Sequence, residues 1–209
     1  MRNLLWAALV LQVLLALFQS YEIFRGVVTF SETEFNPIDL LWGLAGALFG
    51  VLWLIVLLLC IVYTCRITYR MMKNLHVLQA PGELMSPGWA VGWYFIPFAN
   101  LYLPKRAVNQ MWRGTFELAK QDAPNDEVIG GWWWLWVLSN IVSTVSFRLS
   151  VESGAMSEFG PTNSDMYMMS VYSGIAGTLL GAVSTWFMIK VFGALARTQN
   201  DLVRAHAFV

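Results

Sequence analysis

Five stretches of this 209-residue chain contain no charged residue, and each is about as long as a bilayer is thick: 3–21, 40–65, 84–104, 128–147 and 166–189. About 20 apolar residues in a helix cover the ~30 Å hydrocarbon core, and a helix satisfies all of its own backbone hydrogen bonds there. Hydrophobic residues make up 57% of the chain and charged residues 12%, too little polar surface to wrap a water-soluble domain of this size. The pattern therefore predicts an all-α integral membrane protein. Net charge is zero, so nothing in the balance points to nucleic acid.

The number of crossings turns on the third stretch, and the basic residues discriminate between the alternatives. With four spans and a cytoplasmic N-terminus, Arg2, Arg66, Arg70, Lys73, Lys105, Arg106, Arg113, Lys120, Lys190, Arg197 and Arg204 lie inside, leaving only Arg25 and Arg148 outside. If the third stretch also crossed, the inside set would shrink to Arg2, Arg66, Arg70, Lys73 and Arg148. The positive-inside bias favours four spans, with both termini cytoplasmic. The third stretch also holds Pro87, Pro97 and Pro104 with Gly88 and Gly92. Each internal proline removes a donor that lipid cannot replace.

The expected organisation is a single four-span domain over 1–209, with spans at about 4–23, 40–64, 131–147 and 168–189. A re-entrant or interfacial Pro/Gly/Trp segment follows at about 86–104. Next comes an amphipathic cytoplasmic helix at about 105–120, with Val108, Met111, Trp112, Phe116 and Ala119 on one face, read as lying in the membrane plane. Residues 66–79 extend the second span as a basic stem, which a turn around Pro81-Gly82 ends. The outer loops hold Glu22, Glu32, Glu34 and Asp39, then Glu152, Glu158 and Asp165, read as solvated charge in preference to a cation site.

Lipid tails are as apolar as leucine, so membrane helices associate through small residues and a few polar contacts. Ser173, Gly177, Gly181 and Thr185 form one such ridge, Ser170, Gly174, Thr178 and Ala182 a second, and Gly46 and Gly50 mark another helix. Two amides fall mid-span, Gln12 and Asn140, and an interhelical hydrogen bond is expected of each. Trp132, Trp133, Trp134 and Trp136 open the third span and read as an aromatic anchor at the headgroup layer.

Chemistry-bearing groups are few. The two histidines, His76 and His206, lie outside the spans, and there is no HExxH, GxSxG, P-loop or Rossmann pattern. Cys60 and Cys65, five apart, fit neither a redox pair nor a zinc set and read as packing residues, with S-palmitoylation the alternative. No catalytic, cofactor or metal residue is assigned. No ionisable residue falls in the centre of a span, which disfavours a proton-coupled pump.

One motif is distinctive: Ser86-Pro87-Gly88-Trp89-Ala90-Val91-Gly92-Trp93, then Phe95-Ile96-Pro97-Phe98-Ala99-Asn100-Leu101, Pro104, Trp112, and the tryptophan-rich span from Trp132. In that order it resembles the bacterial membrane family catalogued as domain of unknown function 4328. The resemblance implies a bacterial multi-span membrane protein and no activity. The candidate functional motif is Pro87, Gly88, Trp89, Gly92, Trp93, Pro97, Asn100, Pro104 and Trp112, with Gln12 and Asn140 as candidate polar intramembrane residues. In physical terms the motif breaks the helix, and Asn100 is expected to cap the freed backbone groups.

The leading expectation is a non-enzymatic binding or assembly protein of the bacterial inner membrane. Its partner would be the lipid bilayer, anionic lipid at the cytoplasmic face, a protein partner or a second copy. The alternatives are a small transporter or channel built on Pro97 and Asn100, and a membrane-embedded enzyme using His76 or the carboxylates around Asp126.

Overall fold

A computed structural model describes residues 2–29, 37–154 and 163–207. The expected loop carboxylates Glu32, Glu34 and Glu158 lie outside them. The described residues form six α-helices and two 3-10 turns, with no strand among them. The helices are α1 (Arg2–Thr29), α2 (Pro37–Val77), α3 (Pro87–Gly92), α4 (Leu103–Leu118), α5 (Glu127–Glu152) and α6 (Ser164–Ala207). Three stretches are long and apolar enough to cross a membrane: Gly43–Val77, Glu127–Glu152 and Ser164–Ala205. In α1 the apolar stretch found is the shorter Leu5–Phe18.

Helix length carries the next inference. With 41 and 44 residues, α2 and α6 are about 60–65 Å long, roughly twice the ~30 Å hydrocarbon thickness. A single crossing would use about half of each helix and leave the polar remainder to water or protein. The chain divides accordingly into two compact units whose boundaries fall inside helices: one of 1–5, 59–134 and 186–209, the other of 6–58 and 135–185.

The second unit holds the most lipid-like surface. Leu40, Leu44, Leu48, Val51 and Ile55 of α2 are exposed, and the most apolar stretch of α2 has no residue buried by protein. Its helices meet where side chains are small. Ser139 donates to the Gly177 carbonyl at 3.0 Å and Ser146 to that of Ser170 at 2.7 Å, joining α5 to α6. A Cβ on Gly177 would lie 2.7 Å from Ser143 Oγ and 3.3 Å from the Ser143 amide nitrogen, so the two backbones approach as closely as glycine allows. Both small-residue ridges of α6 are thus used inside the chain. Of the α2 glycines, Gly46 packs against Phe18, whereas Gly43 and Gly50 face open space.

The first unit has a core of buried side chains. Met71, Met72 and Leu75 of α2, Val108 and Met111 of α4, Ile129 and Trp133 of α5, and Val191 and Leu195 of α6 are all buried. Here the structure corrects the in-plane reading of 105–120. α4 is amphipathic as expected, but Ala107, Val108, Met111, Trp112, Thr115 and Phe116 are covered by protein, so its apolar face is unavailable to lipid. Its end and that of α2 are shaped alike. Gln79 and Lys120 take left-handed conformations (φ 52° and 51°), and Ala80 and Gln121 donate back to the carbonyls of Leu75 and Phe116, five residues earlier, at 2.9 and 3.1 Å.

One amide ties three helices of this core together. Gln199 of α6 is 3% exposed. Its Nε2 donates to Thr115 Oγ1 of α4 at 2.9 Å and to the Met71 carbonyl of α2 at 3.4 Å, and its Oε1 accepts from Asn74 Nδ2 at 3.3 Å. Removing one partner of such a network strands the others at about 1–3 kcal/mol. Gln199→Ala is expected to destabilise this unit by about that amount, measured by denaturant unfolding followed through tryptophan fluorescence. Adding Thr115→Val to that variant should then cost little more, because the stranded hydroxyl is gone.

Candidate functional site

The first unit carries the distinctive motif as far as Trp134 and the basic stem of α2. The motif is a chain of short helical pieces: α3, the 3-10 turns Trp93–Phe95 and Ala99–Leu101, then α4. The longest piece before α4 has six residues, about 9 Å of helix. The pieces pack on one another and on α4.

Each break has a local cause. Ser86 starts α3 by accepting the Trp89 amide hydrogen on its Oγ at 3.4 Å, with Pro87 in the first turn, where a missing N–H costs nothing. Gly92 lets the Trp89 ring lie close beneath it, 3.4 Å from where a Cβ would sit, and Trp89 stacks on Trp93 at 4.6 Å. Gly88 faces open space. Pro97 follows Ile96, whose extended backbone (φ −100°, ψ 115°) ends the first 3-10 turn. The Asn100 amide closes the next turn on the Ile96 carbonyl at 2.8 Å. Pro104 is buried at the start of α4.

The expected capping role of Asn100 falls to a different residue. Asn100 Oδ1 is buried without a hydrogen-bond partner. The side chain that reaches the broken backbone is Trp133, which donates from Nε1 to the Leu101 carbonyl at 2.9 Å. Trp133 is 1% exposed and Trp132 is buried edge-on against Phe192 at 5.8 Å. The tryptophan cluster is thus mainly a clamp, and of its buried pair and their neighbour only Trp134 faces outward, 5.5 Å beneath Lys105 Nζ. The sequence held only part of the signal: a buried indole takes a partner for its one donor, but nothing in its spacing says which carbonyl that is. Trp112 acts similarly, donating to the Pro124 carbonyl at 3.0 Å, while Arg113 pairs with Asp126 at 3.2 Å. Those two contacts hold the acidic segment between α4 and α5.

Tyr94 reaches α2, where its buried hydroxyl lies beside Thr68, neither oxygen having a partner in hydrogen-bond geometry. Burial pushes the phenol up to about 12, the neighbouring Thr68 hydroxyl opposing the shift. Burial thus favours the neutral phenol at Tyr94.

Two clefts open in this unit. The larger, about 690 Å³, lies between the basic turns of α2 and α3, lined by Arg66, Tyr69, Arg70, Lys73, Asn74 and Val91 among others. The smaller, about 310 Å³, is lined by Ser86, Trp89, Trp93, Arg106 and Gln110 among others. On the motif surface Trp89, Phe95, Ile96, Phe98, Leu101 and Tyr102 are exposed, Phe98 by 89%. His76 binds the Met72 carbonyl of its own helix through Nδ1 at 2.9 Å. The two mid-span amides lie in the other unit. Gln12 accepts from Thr185 at 3.0 Å, the interhelical bond expected of it. Asn140 instead donates to the Trp136 carbonyl of its own helix at 2.7 Å and faces outward.

Replacing Trp133 by Phe removes the α5 donor to the Leu101 carbonyl and leaves a small void. Trp133→Phe is expected to loosen the motif by about 2 kcal/mol, read as faster amide hydrogen exchange at Asn100–Tyr102 with the α4 core still protected.

A family model described as Domain of unknown function (DUF4328) matches residues 43–197. Among curated proteins and among solved structures nothing matches the chain.

Proposed function

The chain belongs to that family, whose model covers well over half of its 209 residues, and from this premise we propose that it is a four-span protein of the bacterial inner membrane that acts by binding and not by catalysis. In this reading α1 also crosses and brings the spans to four, both termini are cytoplasmic, and the motif segment is an interfacial anchor. The first unit then lies at the cytoplasmic surface, with its basic residues toward anionic lipid.

The observation that carries the reading is the pairing, within one unit, of exposed apolar side chains and unpaired cations. Trp89, Phe95, Phe98, Leu101 and Tyr102 project from the motif, and Arg66, Arg70 and Lys73 line the cleft beside it without a carboxylate partner among the described residues. Aromatic side chains suit the headgroup layer, and each Lys or Arg near an anionic leaflet adds about 1 kcal/mol of attraction. The reading also suits Arg66, the first charge after the apolar stretch of α2, which sits where a span meets the headgroups.

Two outcomes are expected. In a background without Cys60 and Cys65, Ser31→Cys and Ser157→Cys should react with an impermeant thiol reagent on intact cells. Ser86→Cys and Asp126→Cys should react only once the cells are opened. Reaction of Asp126→Cys from outside would mean that the third apolar stretch crosses, and the cytoplasmic reading would fail. Separately, protein extracted from native membranes in mild detergent should retain anionic lipid at a higher fraction than the bulk membrane, measured by lipid mass spectrometry. Retention at the bulk ratio would remove the binding reading in favour of the small-transporter alternative, which purified protein in liposomes would reveal as solute flux.

A further inference from the structure

The cleft between α2 and α3 has a composition more specific than a basic surface. Arg66, Arg70 and Lys73 are spaced four and three residues apart, which puts them on one face of α2. Like charges at this spacing repel one another, and no carboxylate among the described residues lines the cleft or pairs with them. The helix therefore holds a concentrated charge of +3 whose cost an anion would relieve.

The remaining walls add directed contacts. Asn74, whose Nδ2 is held by buried Gln199 at 3.3 Å, fixes the cleft's inner edge to the protein core. Tyr69 offers a phenolic donor, and Val91 of α3 closes the opposite side with an apolar surface. A volume of about 690 Å³ is in the range of small-molecule sites, ~300–1,000 Å³. The guanidinium forks of Arg66 and Arg70 match phosphate oxygens two at a time, and Lys73 adds a point charge.

Resting on the binding reading above, we propose that this cleft is a site for a ligand carrying two negative phosphate charges, held by Arg66, Arg70 and Lys73. A phosphodiester with one charge would leave two cations uncompensated, whereas a pair of phosphates, or one phosphomonoester, nearly neutralises the set. The shared chemistry has two sources, a lipid headgroup with two phosphates or a soluble diphosphate. The apolar Val91 on the α3 side of the cleft favours the lipid.

The test is native mass spectrometry of the full chain in detergent with four probes: a diphosphatidyl lipid, phosphatidylglycerol, phosphatidylcholine and inorganic pyrophosphate. The diphosphatidyl lipid should bind most tightly. Arg66→Gln, Arg70→Gln and Lys73→Gln should each weaken it about fivefold, while Arg70→Lys loses less and Lys120→Gln nothing. Each variant is checked for an unchanged unfolding midpoint, so that a lost site is not mistaken for a lost fold. Equal losses from Lys120→Gln and from the three cleft variants would sink the cleft while leaving the binding reading intact. Equal retention of phosphatidylcholine and the anionic lipids by the wild type would overturn both. Displacement of the lipid by pyrophosphate at similar concentration would keep the site and assign it to a soluble anion.

Discussion

A buried amide, Gln199, sits where α2, α4 and α6 would otherwise meet through apolar contact alone, and its three hydrogen bonds fix how those helices are rotated. Apolar packing tolerates sliding, because one leucine contact replaces another at little cost. A buried polar group does not, since every misplaced partner costs about 1–3 kcal/mol. Through Asn74 the same amide orients the last turns of α2, and with them the face that carries Arg66, Arg70 and Lys73. Through Thr115 it orients α4, whose Gln110 accepts the Met85 amide hydrogen at 3.0 Å and so fixes the entry to the motif.

The two units illustrate two ways of holding helices together. Where the chain is most lipid-like, serine hydroxyls reach carbonyls of a neighbouring helix and glycine permits close approach, as at Ser139 and Gly177. There the solvent is as apolar as the side chains and supplies no drive to bury them. In the first unit large side chains are interdigitated at full burial, Trp133, Phe192 and Met72 among them. That is packing in which burial itself stabilises. The excess length of α2 and α6 over a bilayer is what lets one pair of helices take part in both.

Much of this was legible beforehand. The helices, the seam of α6, the broken character of 84–104 and the Gln12 contact follow from charge-free length, small-residue spacing and proline placement. What misled was the apolar face of 105–120, since amphipathicity states that a face is buried but not whether lipid or protein buries it. Asn140 was misjudged because a mid-span amide can satisfy itself on its own helix, as it does on the Trp136 carbonyl. The role expected of Asn100 belongs to Trp133, 32 residues along the chain from the Leu101 carbonyl it binds. No local pattern encodes a pairing at that separation.

The sequence by itself determined that this is a helical chain with stretches able to cross a membrane, and where those stretches must break, because backbone satisfaction and hydrocarbon thickness act on local segments. Tertiary structure alone decided which partners satisfy the breaks, that α4 faces protein, and that three repelling cations share a cleft with α3. Those outcomes depend on rotations and distances between helices, which are set by buried hydrogen bonds such as those of Gln199 and Trp133 and leave no trace in the spacing of residues along any one of them.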